Sequence, residues 1–184
     1  MLNRKAASAL ACALLVSAIQ VASADVIVGG NAMLARKNIV ENAINSQDHT
    51  TLVAAVKAAG LVDTLQGKGP FTVFAPVNAA FAALPAGTVE TLLKPENQSQ
   101  LTNVLTYHVV PGRLTFDDLH KLIADGKGTT KLTTASGGAL WLMANGPHNI
   151  VVKDAAGKVA NISIYDVLQS NGVIHSIDKV LLPQ

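Results

Sequence analysis

Five histidines are the residues best suited to do chemistry in this 184-residue chain: His49, His108, His120, His148 and His175. No two of them stand two, three or four positions apart, and no Cys/His pairing or H-E-x-x-H run accompanies them. Zinc held by a local motif is therefore not expected. Serine chemistry lacks its usual G-x-S-x-G elbow too. Gly67-Lys68 has no glycine five residues ahead of it, as a phosphate loop requires, and no G-x-G-x-x-G appears. Spacing leaves open a triad assembled from distant residues, such as a hydrolase using unpaired His and Asp. The expectation is nonetheless a chain with no catalytic residues, no metal and no cofactor.

The single cysteine, Cys12, lies in a segment that precedes the fold. Arg4 and Lys5 are followed by an apolar run to Val21 and then by Ala22-Ser23-Ala24, an A-x-A cleavage signature. Residues 1–24 read as a secretory signal peptide, so the mature chain begins at Asp25 and has no cysteine, which excludes thiol chemistry. The apolar run is short for a membrane span, and stable insertion is not expected. The 14 Lys and Arg, less the two in the leader, balance 12 Asp and Glu. No basic field remains for nucleic acid. Such a near-neutral, exported chain is prone to associate with surfaces or weakly with itself.

The elements that would position any site are organised around Gly69–Phe81, GPFTVFAPVNAAF. Phe71, Val73 and Ala75 alternate with Thr72 and Phe74, a strand pattern closed by Pro76. Asn78 stands where the N-cap of the following short helix belongs. Three of the four phenylalanines fall here, which makes this corner the expected centre of the core. Upstream, residues 25–36 read as a linker or short packed arm. Asn38 caps a first helix with Ile39, Val40 and Ile44 as its apolar edge. Asp48 is expected to cap a second, whose stripe is Leu52, Val53, Val56 and Ala59, ending at Gly60 and Leu61 in a Schellman motif. Downstream, Thr88 and Pro95 open helices, Leu101, Val104 and Leu105 face inward, and Thr115 with Asp118 forms a capping box.

From Thr129 the period shifts to strands: KLTT, ALWLM, NIVVK, KVANISI and VIHSIDKVLL, with a hairpin loop at Asp154–Gly157. Helices in the first half and strands in the second argue α+β rather than alternating α/β. Trp141 in ALWLM reads as core, with a carbohydrate-stacking surface tryptophan as the other possibility. His108 and His175 read as hydrogen-bonded structural histidines, with binding as the other role for His108.

TVFAPVNAAF, Tyr107–Gly112 (YHVVPG) and Asn171–Pro183 (NGVIHSIDKVLLP) stand in order at domain spacing. Together they resemble the three signature motifs of fasciclin-like domains, with Val77 where that family usually has Thr or Ser. The resemblance covers the chain from about Lys37 and defines a domain over residues 37–184. It implies a compact β-wedge with helices packed along one edge, in which the first and last motifs pair near the centre. Animal matrix members carry an Asp-Ile pair and a Tyr-His motif implicated in integrin binding. By resemblance these fall on Asp166-Val167 and Tyr107-His108, which become candidate partner-binding residues. The alternative for Val167 and Asp166 is a core position and a turn cap.

The expected function is thus a secreted, non-enzymatic interaction module that supports adhesion or contact with matrix or envelope components. Its partners would be extracellular or cell-surface proteins or matrix components. A carrier of a small apolar ligand is the alternative. Export is directly testable: intact-mass measurement on the exported protein should find a chain beginning at Asp25, and a retained Met1–Ala24 or an acyl group on Cys12 would refute the leader assignment.

Overall fold

A computed structural model describes residues 25–183; the leader and Cys12 lie outside them. Val26–Val28 (β1) and Asn31–Met33 (β2) form a hairpin around Gly29-Gly30. The expected arm is thus a packed one, with Val28 and Met33 both buried in the core. Ile39–Ala43 (α1) begins at a capping box between Asn38 and Glu41. Ile39 and Val40 are buried, but Ile44 lies past the helix end and is 52% exposed, so it is not part of the apolar edge.

A 3-10 turn at Gln47–His49 leads into Thr50–Ala58 (α2). Asp48 does not cap this helix. The cap comes from Asn78, whose Oδ1 accepts from the Thr51 N–H at 3.0 Å while its amide donates to Gln47 O at 2.8 Å. Asn78 was expected to cap its own helix, Asn78–Ala82 (α4), yet there Val77 is the N-cap residue and makes no side-chain bond. One side chain therefore ties the turn after the central strand to the start of α2. The far end of α2 follows its sequence: Leu61 N–H donates to Val56 O and Gly60 N–H to Lys57 O, the two bonds of a Schellman ending. Gly60 takes φ +70°, where a side chain would be strained.

Val62–Gln66 (α3) precedes the central strand Phe71–Pro76 (β3). Thr88–Leu92 (α5) starts from Gly87 rather than a threonine cap, and Pro95 opens the 3-10 turn that leads into Gln98–Tyr107 (α6). Val109–Pro111 (β4) and Phe116–Asp125 (α7) follow, the latter with the expected Thr115/Asp118 capping box. The strands Thr129–Thr133 (β5), Ala139–Ala144 (β6), Ile150–Lys153 (β7), Val159–Gln169 (β8) and Gly172–Ile177 (β9) complete the chain.

These strands form one seven-stranded sheet in the order β4-β3-β9-β8-β7-β6-β5. All neighbours are antiparallel except β3 and β9, which run parallel from Phe71↔Gly172 to Pro76↔Ile177. The two outer motifs of the sequence are therefore paired at the centre, as the resemblance implied. The 11-residue β8 changes register between Ile162 and Val167, pairing with β7 through its first part and with β9 over most of its length. These irregularities bend the sheet into a wedge. The architecture is α+β.

The wedge has two apolar fillings. Val73, Ala75 and Ile174 face the hairpin and the helices α1, α2 and α6. Phe74 and Ile177 face the other way, toward Leu119 and Ile123 of α7 and Leu140, Leu142, Ile150 and Val152 of the outer strands. β3 is thus buried on both faces, as a parallel central strand is expected to be. Phe74 is fully buried, whereas Phe71 at the strand start is half-buried. Phe74→Ala should cost roughly 3–5 kcal/mol in urea unfolding and Phe71→Ala clearly less. Phe74→Ala within ~0.5 kcal/mol of wild type would end the claim that this strand organises the fold.

Candidate functional site

The residues singled out by motif come to lie on both sides of the β3–β9 pair. Tyr107 closes α6 with 0% exposure. Its hydroxyl donates to Ala139 O at 2.6 Å and accepts from Ala155 N–H at 2.9 Å, joining the ends of β6 and of the β7–β8 loop. Burial holds its pKa above the usual phenol value. His108, 2% exposed, follows it at the helix C-cap. Nδ1–H donates to Val104 O at 2.8 Å and Nε2 accepts from Leu181 N–H at 3.0 Å. That pair of partners fixes one neutral tautomer, and burial depresses its pKa to about 4.

Asp166 sits in β8 at φ +54°, a conformation that Asp and Asn tolerate better than other side-chain-bearing residues. Half-buried, it turns Oδ1 onto the Phe116 N–H at 2.7 Å, capping the first turn of α7 from fifty residues away. Its own N–H donates to His175 Nδ1 at 3.3 Å, and His175 Nε2–H donates to Leu114 O at 2.8 Å. Val167 is 2% exposed in the helix-side core. Of the four candidate binding residues, Tyr107, His108 and Val167 are buried and Asp166 alone reaches the surface. Tyr107 and Asp166 support different parts of the wedge and are not drawn into a common site.

The arrangement closest to an enzyme's is assembled from residues far apart in the chain. His49 Nδ1 lies 2.9 Å from Ser46 Oγ, and Nε2 lies 3.3 Å from Ser176 Oγ. A base stands between two hydroxyls here, brought together from residues 130 positions apart at the extremes. All three are at most 3% exposed, and burial lowers the His49 pKa. They line an apolar cavity of about 50 Å³ between the sheet and α1, α2 and α3. A dry cavity that admits benzene is roughly three times that size. An acyl substrate has no room beside Ser176, so the trio is a satisfied polar anchor in the core. The same size argues against a carrier of apolar ligands.

His120 and His148 are exposed. Among the described residues no cluster of metal-ligating side chains forms, and no buried side-chain polar atom lacks a partner. Trp141 departs from the expected core position. It is half-buried on the outer face of the sheet, with the Lys131 ammonium 5.9 Å from its ring centre.

The Fasciclin domain profile matches residues 47–183. Protein sll1483 of Synechocystis sp. is 50% identical over 147 residues, spanning 79% of this chain and 73% of that protein. The uncharacterized protein sll1735 of the same organism is 42% identical over 145 residues, spanning 79% of this chain and 97% of its own length. Among solved structures, a FAS1 domain pair from the insect cell adhesion molecule fasciclin I superimposes with a TM-score of 0.69 at 21% identity, over 79% of this chain and 51% of that one. At that identity the likeness is one of fold.

The buried histidines make the fold sensitive to acid. Burial lowers the folded pKa of His49, His108 and His175, so protons bind the unfolded chain first as pH falls below the ordinary histidine value of 6.5. Stability is then full above about pH 6.5 and declines toward pH 4, where His108 itself takes a proton. His108 alone should contribute a loss of roughly 3 kcal/mol across that window, at ~1.4 kcal/mol per unit. Urea midpoints at pH 7, 6 and 5 should fall in step, and a flat series would refute the assignment.

Proposed function

Because the chain belongs to the fasciclin domain family, we propose that it acts outside the cytoplasm as a non-catalytic interaction module in adhesion or contact with matrix or envelope components. One observation carries this reading: every buried group able to do chemistry is committed to an internal hydrogen bond, which leaves the outer surface as the working part. The related fold of fasciclin I belongs to a cell adhesion molecule. Export rests on the leader at residues 1–24. No helix among the described residues is long and apolar enough to cross a membrane.

Within the motif residues, direct contact with a partner falls to Asp166, and Tyr107, His108 and Val167 act by holding the wedge behind it. The second carboxylate oxygen of Asp166 makes no hydrogen bond among the described residues, so it is available to a partner's N–H or cation. Partners would be extracellular or cell-surface proteins or matrix components.

Asp166→Asn separates the two roles of that residue. Asparagine accepts the Phe116 N–H and tolerates positive φ, so folding should stay within ~0.5 kcal/mol of wild type. Capture of a component from the native extracellular fraction should fall about fivefold, the equivalent of ~1 kcal/mol. Capture unchanged by Asp166→Asn would remove Asp166 from the contact surface. Turnover of an ester or peptide substrate by the purified protein, lost in His49→Gln, would overturn the non-catalytic reading.

A further inference from the structure

The outer face of the sheet has a composition that its inner face and its helices do not explain. Strand register places Lys131 of β5, Trp141 of β6 and Lys153 of β7 in one row across three strands. At ~4.8 Å per strand, the backbones of the two lysines stand about 10 Å apart with the indole between them. Leu140, Leu142, Ile150 and Val152 alternate with this row and fill the core below, so the row itself points outward. Both lysines are exposed, and neither forms an ion pair among the described residues. β5, β6 and β7 contain no Asp or Glu, and the adjacent Asp154 is buried with both carboxylate oxygens spent on Lys158 and Leu182 N–H groups.

A chain whose exported part balances its charges keeps two uncompensated cations around its one tryptophan. We propose that this face binds an acidic polysaccharide, a chain of pyranose sugars carrying carboxylates. The indole offers a flat apolar surface to the C–H face of a sugar ring. The Lys131 ammonium lies over the indole, 5.9 Å from its centre, and swings from there onto the carboxylate of the sugar that stacks on the ring. Lys153 serves a neighbouring sugar on the other side. Thr129 and Thr133, on the same side of β5 as Lys131, add hydroxyls that exchange hydrogen bonds with sugar hydroxyls. Two cations are too few to hold nucleic acid by its phosphates. An acidic peptide would instead add to the free edge of β5, where main-chain bonds supply affinity and the indole is not needed.

This inference rests on the chain working outside the cytoplasm, and it is independent of Asp166. Trp141, as the sole tryptophan, reports on the site by its own fluorescence. Titration with polygalacturonate should give a saturable change in its emission. Neutral dextran and poly-glutamate should give none, and added salt should weaken the binding by screening exposed charges. Lys131→Gln and Lys153→Gln should each lower affinity about fivefold with melting unchanged, while Lys57→Gln on the helical side should not. Trp141→Phe, which keeps a ring on the strand, should weaken binding when followed by calorimetry. Absence of saturation with polygalacturonate, equal binding of poly-glutamate, or unchanged affinity in the double lysine variant overturns the proposal. If polygalacturonate fails while the extracellular fraction still yields a captured component, the interaction-module reading stands and only this site falls.

Discussion

The parallel docking of β3 on β9 is the constraint on which the remaining structure depends. Parallel neighbours cannot be joined by a tight turn, so a long crossover must separate them. Here residues 77–171, which include α4 to α7 and five strands, are that crossover. Its closure is held at Asn171. The Asn171 side chain accepts from Ile39 N–H at 3.0 Å and donates to Leu65 O and Gly67 O, while its carbonyl accepts from Phe71 N–H. One residue thus joins the start of α1, the end of α3, the start of β3 and the turn into β9. Gly69 and Gly172 flank the junction because a Cβ on either would run into the backbone carbonyl of Asn171 or of Phe71. Any side chain there would push the two strands apart at the point where they meet.

A second set of buried polar groups straps the chain's end onto this centre. Leu181 N–H is held by His108, Leu182 N–H by Asp154, and Asp178 by the backbone and amide of Asn161. The Leu181 N–H bond to His108 is buried, so losing that partner leaves a donor unmet at a cost of ~1–3 kcal/mol, while the other bonds are part-buried. The Tyr-His pair that a family motif brings to attention thereby acquires a plain physical purpose. Tyr107 joins the outer strands and His108 the C-terminal segment, and both do so from the end of a single helix. Such motif residues specify the wedge, and they leave its exposed faces free to differ from one member to another.

What the sequence made legible was local. The Asn38/Glu41 and Thr115/Asp118 boxes and the Schellman ending of α2 each depend on residues within five positions, and all three are present. Asn78, Asp166 and Asn171 are also polar residues at element ends, but the N–H groups they satisfy lie 27, 50 and 132 residues away. Their residue types could be read from the chain while their partners could not. Asp48 and Thr88 failed as caps for the same reason: the fold supplied Asn78 to one helix and a glycine start to the other. Periodicity was similarly incomplete for Trp141. Alternation in ALWLM shows that two faces differ, but which of them meets the core is set by where α7 packs, and that is a tertiary fact.

The burial of the motif residues bears on where recognition can reside. A contact surface needs groups that reach a partner without unfolding, and exposed charge counts most where it is uncompensated and close to an apolar area. The helical side of the wedge is spent on the core, its cavity only about 50 Å³. On the opposite side β6 and β7 bury Leu140, Leu142, Ile150 and Val152 on one face, and much of the other is open to solvent, as antiparallel strands commonly leave it. A core-packed strand tolerates little change at Leu140 or Leu142, whereas the alternate positions, Val151 apart, are less buried. Those positions carry Lys131, Trp141 and Lys153, the largest and most charged side chains that the face could present. A sheet that needed only solubility there would be served by small polar residues, as Thr129 and Thr133 already show, and the proposed recognition role would account for a tryptophan held among them.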